Sequence, residues 1–329
     1  MMTALLTSKI ETPAAWVGAD FEGDDSWVHV LSDAALDAID LALRRLDDAA
    51  TSDLSFSKAD FPLGTFSAEL AGYADELEDG RGFFLLRGLP VERYSEDELR
   101  AIYFGIGLHL GTPVGQNPQG DILGTVMNVG DPQDKNTRVF QTNLYLPYHT
   151  DPSDVVGLLC LRKAQRGGLS SLVSAAAVYN AILDQAPEHL GLFYRAYHYA
   201  HLRTDGVGQS PIFSYYDGKL SCRYLRQYIE LGYEQRAQPL SAVEREALDL
   251  FDRASQAEQM RIDMMLQPGD MQFANNYAVL HSRSAFEDAD DLNERRKLLR
   301  LWLKMPNARA LAPEFPGRNG FEVPEQNHA

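Results

Sequence analysis

Between about Val139 and Leu303 the chain is cut by turn-forming residues into short β-prone runs, and that punctuation leaves room for few architectures. Asp217-Gly218 separates two such runs within Pro211–Tyr224, the dipeptide a two-residue hairpin loop favours because both positions take positive φ. Gln267-Pro268-Gly269-Asp270 is a tight turn feeding a strand over Met271–Phe273, and a last strand runs over Lys297–Leu303. Two helices interrupt this region, one after Ser174 and one opened by the capping box Ser241-Ala242-Val243-Glu244. Upstream, Ser32 caps a helix whose Leu36, Ile39, Leu43 and Leu46 share a face. Gly82–Gly88 is a short buried strand between glycines, and Ser95–Glu98 boxes the start of a helix through Leu99, Ile102, Tyr103 and Ile106.

Many short strands with helical insertions predict a mainly β fold, a sandwich or jelly roll with helices packed outside it. Length alone permits two domains, but the change of texture near residue 135 reads as a change of layer and not as a linker. The expectation is one domain over 1–329: a helix/strand N-terminal layer at 1–135, a jelly-roll core with helical insertions at 136–304, and a tail at 305–329. Pro306, Pro313, Pro316 and Pro324 keep that tail extended.

The formal charge of −17 argues against a nucleic-acid partner, which needs a basic patch, and against adsorption to an anionic membrane. No apolar run approaches bilayer length, and the N-terminus lacks the pattern of a signal peptide. Cys160 and Cys222 have neither disulfide-framework nor zinc-knuckle spacing. These features predict a reduced, soluble, cytoplasmic protein; oligomeric state is not legible.

Leu146-Pro147-Tyr148-His149-Thr150-Asp151-Pro152 carries the chemistry. In extended chain, residues i and i+2 point to one face, so His149 and Asp151 can grip one ion. His281, in Tyr277-Ala278-Val279-Leu280-His281-Ser282-Arg283, is the best candidate for a third ligand. Two histidines and a carboxylate with positions left open suit non-haem Fe(II). The plainer reading is an exposed His-x-Asp loop pair with His281 as a core histidine.

What lies downstream weighs against that reading. Taken as a strand, Arg296, Leu298, Arg300 and Trp302 face one way, while Lys297, Leu299, Leu301 and Leu303 face the other. Two arginines on one face of an interior strand are costly unless each meets an anion. A guanidinium captures a carboxylate in two-point fashion; internal acidic residues are the competing partners.

On these residues the chain resembles the taurine dioxygenase-like family of Fe(II)/2-oxoglutarate oxygenases, which includes clavaminate synthase-like and γ-butyrobetaine hydroxylase-like enzymes. The resemblance is carried by His149-Thr150-Asp151, His281-Ser282-Arg283, Arg296-x-x-x-Arg300 before Leu301-Trp302-Leu303, and Gly167-Gly168-Leu169-Ser170-Ser171. It implies a double-stranded β-helix core with iron on His149, Asp151 and His281. It further implies Arg296 on the distal carboxylate of 2-oxoglutarate, assisted by the hydroxyl of Ser170 or Ser171, and Arg300 on an anionic group of the substrate. The implied reaction consumes O2, releases succinate and CO2 and by default hydroxylates a C–H bond of a small-molecule substrate. Asp151 stands where related halogenases have a small residue, which argues against halogenation.

By strict strand alternation Tyr145 shares a face with His149 and is expected to contact substrate. His198 and His201, His189, His29, His109 and His328 lack partners at ligand spacing, and Asn275 and Asn276 read as turn formers ahead of His281. Two other classes compete: a cupin-like metal enzyme of non-oxidative hydrolysis or isomerisation, and a β-sandwich binding module without catalysis. Arg296 separates the first, since only a 2-oxoglutarate enzyme needs that clamp; the full triad argues against the second.

Overall fold

A computed structural model describes residues 5–117, 119–130, 141–203, 206–317 and 320. The first third alternates strands β1 (Val28–Val30), β2 (Phe83–Arg87), β3 (Thr112–Pro113) and β4 (Leu123–Met127) with helices α1 (Asp33–Leu43), α2 (Asp48–Asp53), α3 (Phe66–Asp79) and α4 (Glu96–Leu110). Then follow β5 (Leu146–His149), β6 (Val155–Arg162), β7 (Arg166–Gly167), β8 (Ser170–Ser174), α5 (Ala175–Gln185) and α6 (Leu190–Phe193). Next come β9 (Tyr197–Arg203), β10 (Gly206–Ser210), β11 (Phe213–Tyr216), β12 (Lys219–Cys222), α7 (Arg226–Gln235) and α8 (Ala242–Gln256). The last strands are β13 (Arg261–Met264), β14 (Met271–Asn275), β15 (Val279–Arg283), β16 (Phe286–Glu287) and β17 (Lys297–Lys304).

Local chemistry sets most of these boundaries. Ser32, Ser95, Ser174 and Ser241 each accept a backbone N–H at the start of α1, α4, α5 and α8, and in α4 and α8 the capping box closes with Glu98 and Glu244. The β11–β12 hairpin turns on Asp217 (φ 49°) and Gly218 (φ 79°), with Tyr216 opposite Lys219.

The strands assemble into two facing sheets. The larger has the order β1-β2-β14-β6-β17-β3, with β4 also pairing β17; the smaller is β13-β8-β15-β5. Leu298 and Trp302 of β17 join Val156, Phe83 and Ala274 in the inter-sheet core, opposite Leu172, Ile262 and Val279 of the smaller sheet. Leu299, Leu301 and Leu303, one residue out of phase, pack outward with Ile39, Leu70, Ile102 and Ile106 of α1, α3 and α4. Behind the smaller sheet, Val173 and Leu280 meet Val178, Leu248 and Phe251 of α5 and α8. The result is a jelly-roll sandwich clad in helices on both outer faces.

β1 and β2, from the first third, are hydrogen-bonded into the same sheet as β14, β6 and β17, so the early strands extend the core sheet and form no layer of their own. The expected division at 135 falls in 131–140, outside the described residues, as does Pro324. The tail is irregular, as its prolines require, but packed: Ala312 and Phe315 lie on Tyr277, and Arg309 pairs with Glu78 at 2.9 Å. The Gly320 N–H donates to the Pro152 carbonyl at 2.8 Å, beside Asp151.

Gly157 marks the tightest point of the larger sheet. A Cβ there would meet the Tyr103 hydroxyl and, at 2.7 Å, the Phe273 ring. Gly157→Val is therefore expected to cost about 1–3 kcal/mol by overpacking, read as a lower denaturation midpoint in urea at unchanged slope.

Candidate metal centre

The first two ligand candidates lie at the end of β5, where the backbone is pinned on both sides. The Thr150 N–H donates to the Tyr224 carbonyl (2.9 Å), and the Tyr224 N–H to the Thr150 hydroxyl (3.2 Å). The Asp151 N–H donates to Asn276 Oδ1 at 2.9 Å, while Asn276 Nδ2 holds the Ser153 carbonyl and hydroxyl. Asn276 is thus a brace on the ligand loop, more than the turn former its sequence suggests. β15 carries His281 directly opposite His149 on one side and Leu172 on the other.

His149, Asp151 and His281 converge between the sheets, one ligand atom from each lying within 4.8 Å of the others. The two imidazoles are 4.2 Å apart at their centroids, and His281 Nε2 is 3.8 Å from Asp151 Oδ2. Burial lowers the pKa of His149, and burial with His149 alongside pushes His281 down to about 3. Both rings are consequently neutral. His149 Nδ1 donates to the Pro147 carbonyl at 2.8 Å, which leaves the Nε2 lone pair for a metal.

Asp151 is held from the opposite sheet. Trp302 Nε1 donates to its Oδ2 at 2.9 Å, and Arg300 Nη1 lies 3.5 Å from the same oxygen. Burial alone would raise this carboxyl, but Arg300, the two histidines and the indole N–H outweigh it and keep the pKa below the ordinary value. Arg300 is aimed by Gln116, whose Oε1 accepts from Arg300 Nε (2.7 Å) while its Nε2 donates to the Arg300 carbonyl (2.6 Å).

Arg296, 6% exposed, precedes β17, and its Nη1 has no hydrogen-bond partner among the described residues. Gly168, at φ +75°, lets the chain pass this side chain; a Cβ there would sit 3.3 Å from Arg296 Nε. Ser170 faces Arg283 across the β8–β15 pairing, on the face of His281 and Leu172, and donates to Gln272 Oε1 at 2.6 Å. Ser171 points the other way and donates to Asp263. Ser170 is therefore the serine on the inter-sheet side.

Tyr145 is a correction. Its environment is the Ser282 hydroxyl with Asp252 and Arg261, on the helix-clad side, and the residue is 43% exposed. The reason is a bulge: two steps along β15, His281 to Arg283, oppose three along β5, His149 to Leu146. The extra residue reverses the alternation, so Tyr145 leaves the face of His149.

From sequence alone Trp302 and Arg283 stood within the named motifs but were given no role, and Gln116 and Gln272 were not singled out. Trp302 and Arg283 had a signal, since each lies two residues from a named site residue, Arg300 or His281, on a strand; Gln116 and Gln272 had none.

The donor set fits its implied occupants. Two neutral imidazoles and a carboxylate suit Fe(II), and buried guanidinium nitrogens without partners suit a dicarboxylate. A sandwich with this site defines a non-haem iron, 2-oxoglutarate-dependent dioxygenase. The chain belongs to the taurine catabolism dioxygenase TauD, TfdA family, whose model matches residues 46–302. It is 33% identical to FR-33289 synthase of Streptomyces rubellomurinus, over 96% of this chain and 95% of that protein. It is 29% identical to the taurine hydroxylase-like protein SAT17 of Stachybotrys chartarum, over 90% of this chain and 80% of that one. Among solved structures it is similar to an asparagine oxygenase in complex with Fe(II), 3-hydroxyasparagine and succinate, at TM-score 0.64 and 18% identity, over 84% of this chain and 93% of that chain. Non-oxidative hydrolysis or isomerisation is not favoured by this membership.

Trp302→Phe keeps the ring and removes only the N–H donor to Asp151. The expected outcome is a folded protein whose Fe(II) affinity, by anaerobic calorimetric titration, falls about 10–100-fold.

Proposed function

We propose that His149, Asp151 and His281 hold one Fe(II), that Arg296 receives the distal carboxylate of 2-oxoglutarate with Ser170 nearby, and that a small anionic metabolite is hydroxylated there. The observation that carries this reading is a two-histidine, one-carboxylate cluster in a chain that also buries the Arg296 guanidinium, whose Nη1 has no hydrogen-bond partner among the described residues. A hydrolase or isomerase has use for the first and none for the second.

Iron and 2-oxoglutarate, when bound, supply O2 activation, with 2-oxoglutarate oxidised to succinate and CO2 and one oxygen atom delivered to the substrate. The protein's own groups do the rest. Neutral His149 and His281 offer lone pairs without first losing a proton. Trp302 and Arg300 hold Oδ2 of Asp151 and so fix the orientation of its carboxylate. The apolar walls around Trp302, Leu172 and Leu298 keep bulk water away from the reacting centre.

For the substrate's anionic group the support is Arg300 together with the relative named as taurine hydroxylase-like, taurine being a sulfonate. Since Arg300 already contacts Asp151 and Gln116, a substrate anion would compete with Asp151 for it, and its arrival would be felt at the metal ligand. A reducing compartment such as the cytoplasm accords with Cys160 and Cys222, both buried and unpaired. Among the described residues no helix is long and apolar enough to cross a membrane.

Anaerobic titration with Fe(II) and then 2-oxoglutarate should develop the visible charge-transfer band of the chelate, saturating at one equivalent. His149→Ala is expected to abolish the band by losing the metal. Arg296→Met is expected to weaken 2-oxoglutarate by about 10–100-fold; equal affinity in variant and wild type would mean that another residue binds the distal carboxylate. Arg300→Gln should raise KM for an anionic substrate about tenfold while KM for 2-oxoglutarate changes less, and an unchanged substrate KM removes Arg300 from that role.

A further inference from the structure

We infer that Arg283 is a second cationic contact for the distal carboxylate of 2-oxoglutarate, acting with Arg296 to select a keto acid that carries one. The inference rests on the 2-oxoglutarate reading above and adds a residue to it.

Arg283 lies two residues beyond His281 on β15, opposite Ser170, and is 5% exposed. One nitrogen is committed: Nη2 donates to the Thr142 and Leu144 carbonyls at 2.9 and 2.5 Å. Nε and Nη1 are buried and have no hydrogen-bond partner among the described residues. Arg296 Nη1 and Gln272 Nε2 are in the same condition, and Ser170 fixes the Gln272 amide so that its NH2 stays available as a donor. These four unmet donor nitrogens outnumber the one unpartnered acceptor that acts on the same arginines, Asp288 Oδ2, and the excess calls for an acidic ligand.

The two guanidiniums are neighbours. Both stack on Phe286, at 4.7 Å for Arg283 and 5.3 Å for Arg296, and the charge of Arg296 acts on Arg283. Burial pushes Arg283 down to about 9 and Arg296 to about 10. A guanidinium does not give up its proton under ordinary conditions, so these depressions express the cost of two cations side by side out of water. Asp288 acts on both, yet it makes no ion pair within 4 Å to either: Oδ1 accepts the Arg296 backbone N–H and Oδ2 is unpartnered. Two guanidiniums and one carboxylate leave a net positive site, and a single incoming carboxylate neutralises it. A keto acid without a distal carboxylate would leave both arginines unmatched, which is discrimination by an unmet charge.

A purely structural role would be to hold the 142–144 carbonyls, and the test separates the two. Fe(II)-loaded wild type, Arg283→Met and Arg283→Lys are titrated anaerobically with 2-oxoglutarate and with pyruvate, which has the same keto-acid head and no distal carboxylate. Arg283→Met is expected to lose about 10–100-fold in 2-oxoglutarate affinity, with pyruvate and Fe(II) affinities unchanged and with Arg283→Lys recovering part of the loss. An equal loss for both keto acids, or no loss, overturns the proposal. Should Arg283→Met not fold, the ratio of the two affinities in Arg283→Lys decides: a lower ratio than wild type supports the assignment and an equal ratio overturns it. A wild type that binds iron but forms no chelate band with 2-oxoglutarate overturns the cofactor reading beneath it, a result distinct from any difference between variants.

Discussion

A carboxylate buried between two sheets is expensive, and much of the site exists to satisfy the one on Asp151. Its backbone is held by Asn276 after β14, and its Oδ2 by Trp302 and Arg300 of β17. The contacts span the sandwich, so the metal position depends on how the sheets are spaced and in what register they pair. Gln116 extends the arrangement, because it holds Arg300 through backbone and side chain together. The ligand's geometry is thus a property of the whole inter-sheet layer, beyond the three residues that converge on it.

The same layer divides into two electrostatic regions. Around Asp151 the charges are matched, cation to carboxylate. Around Arg296 and Arg283 they are not, with two buried guanidiniums sharing one phenylalanine ring and Asp288 the carboxylate acting on both. A protein interior tolerates such an imbalance where a ligand removes it. Selectivity for a dicarboxylate would then follow from the cost of leaving the site empty, a cost that apolar walls raise by excluding water.

Legibility in the sequence tracked the range of the interaction. Caps at Ser32, Ser95, Ser174 and Ser241 and the Asp217-Gly218 turn are decided within a few residues, and each appears where the sequence puts it. The two faces of β17 were equally plain, since strict alternation holds from Leu298 to Leu303. Alternation failed in β5, where the bulge against β15 carries Tyr145 off the ligand face; the bulge exists only in the pairing of two segments far apart in the chain. Which of Ser170 and Ser171 faces the inter-sheet side was undecidable for the same reason until β8 took its register beside β15.

By itself, then, the sequence determined which residues could do the chemistry and how they are spaced locally: His-x-Asp on extended chain, a later histidine, and a strand with Leu298, Arg300 and Trp302 on one face and Leu299, Leu301 and Leu303 on the other. Those are consequences of backbone periodicity and side-chain type, which need no partner. Only the tertiary structure decided that these segments meet, that Trp302 and Gln116 govern the orientation of Asp151 and Arg300, and that Arg283 stands beside Arg296. These depend on cross-strand register and on contacts between residues more than a hundred positions apart, such as Asp151 with Trp302 and Arg300 with Gln116, which no local pattern encodes.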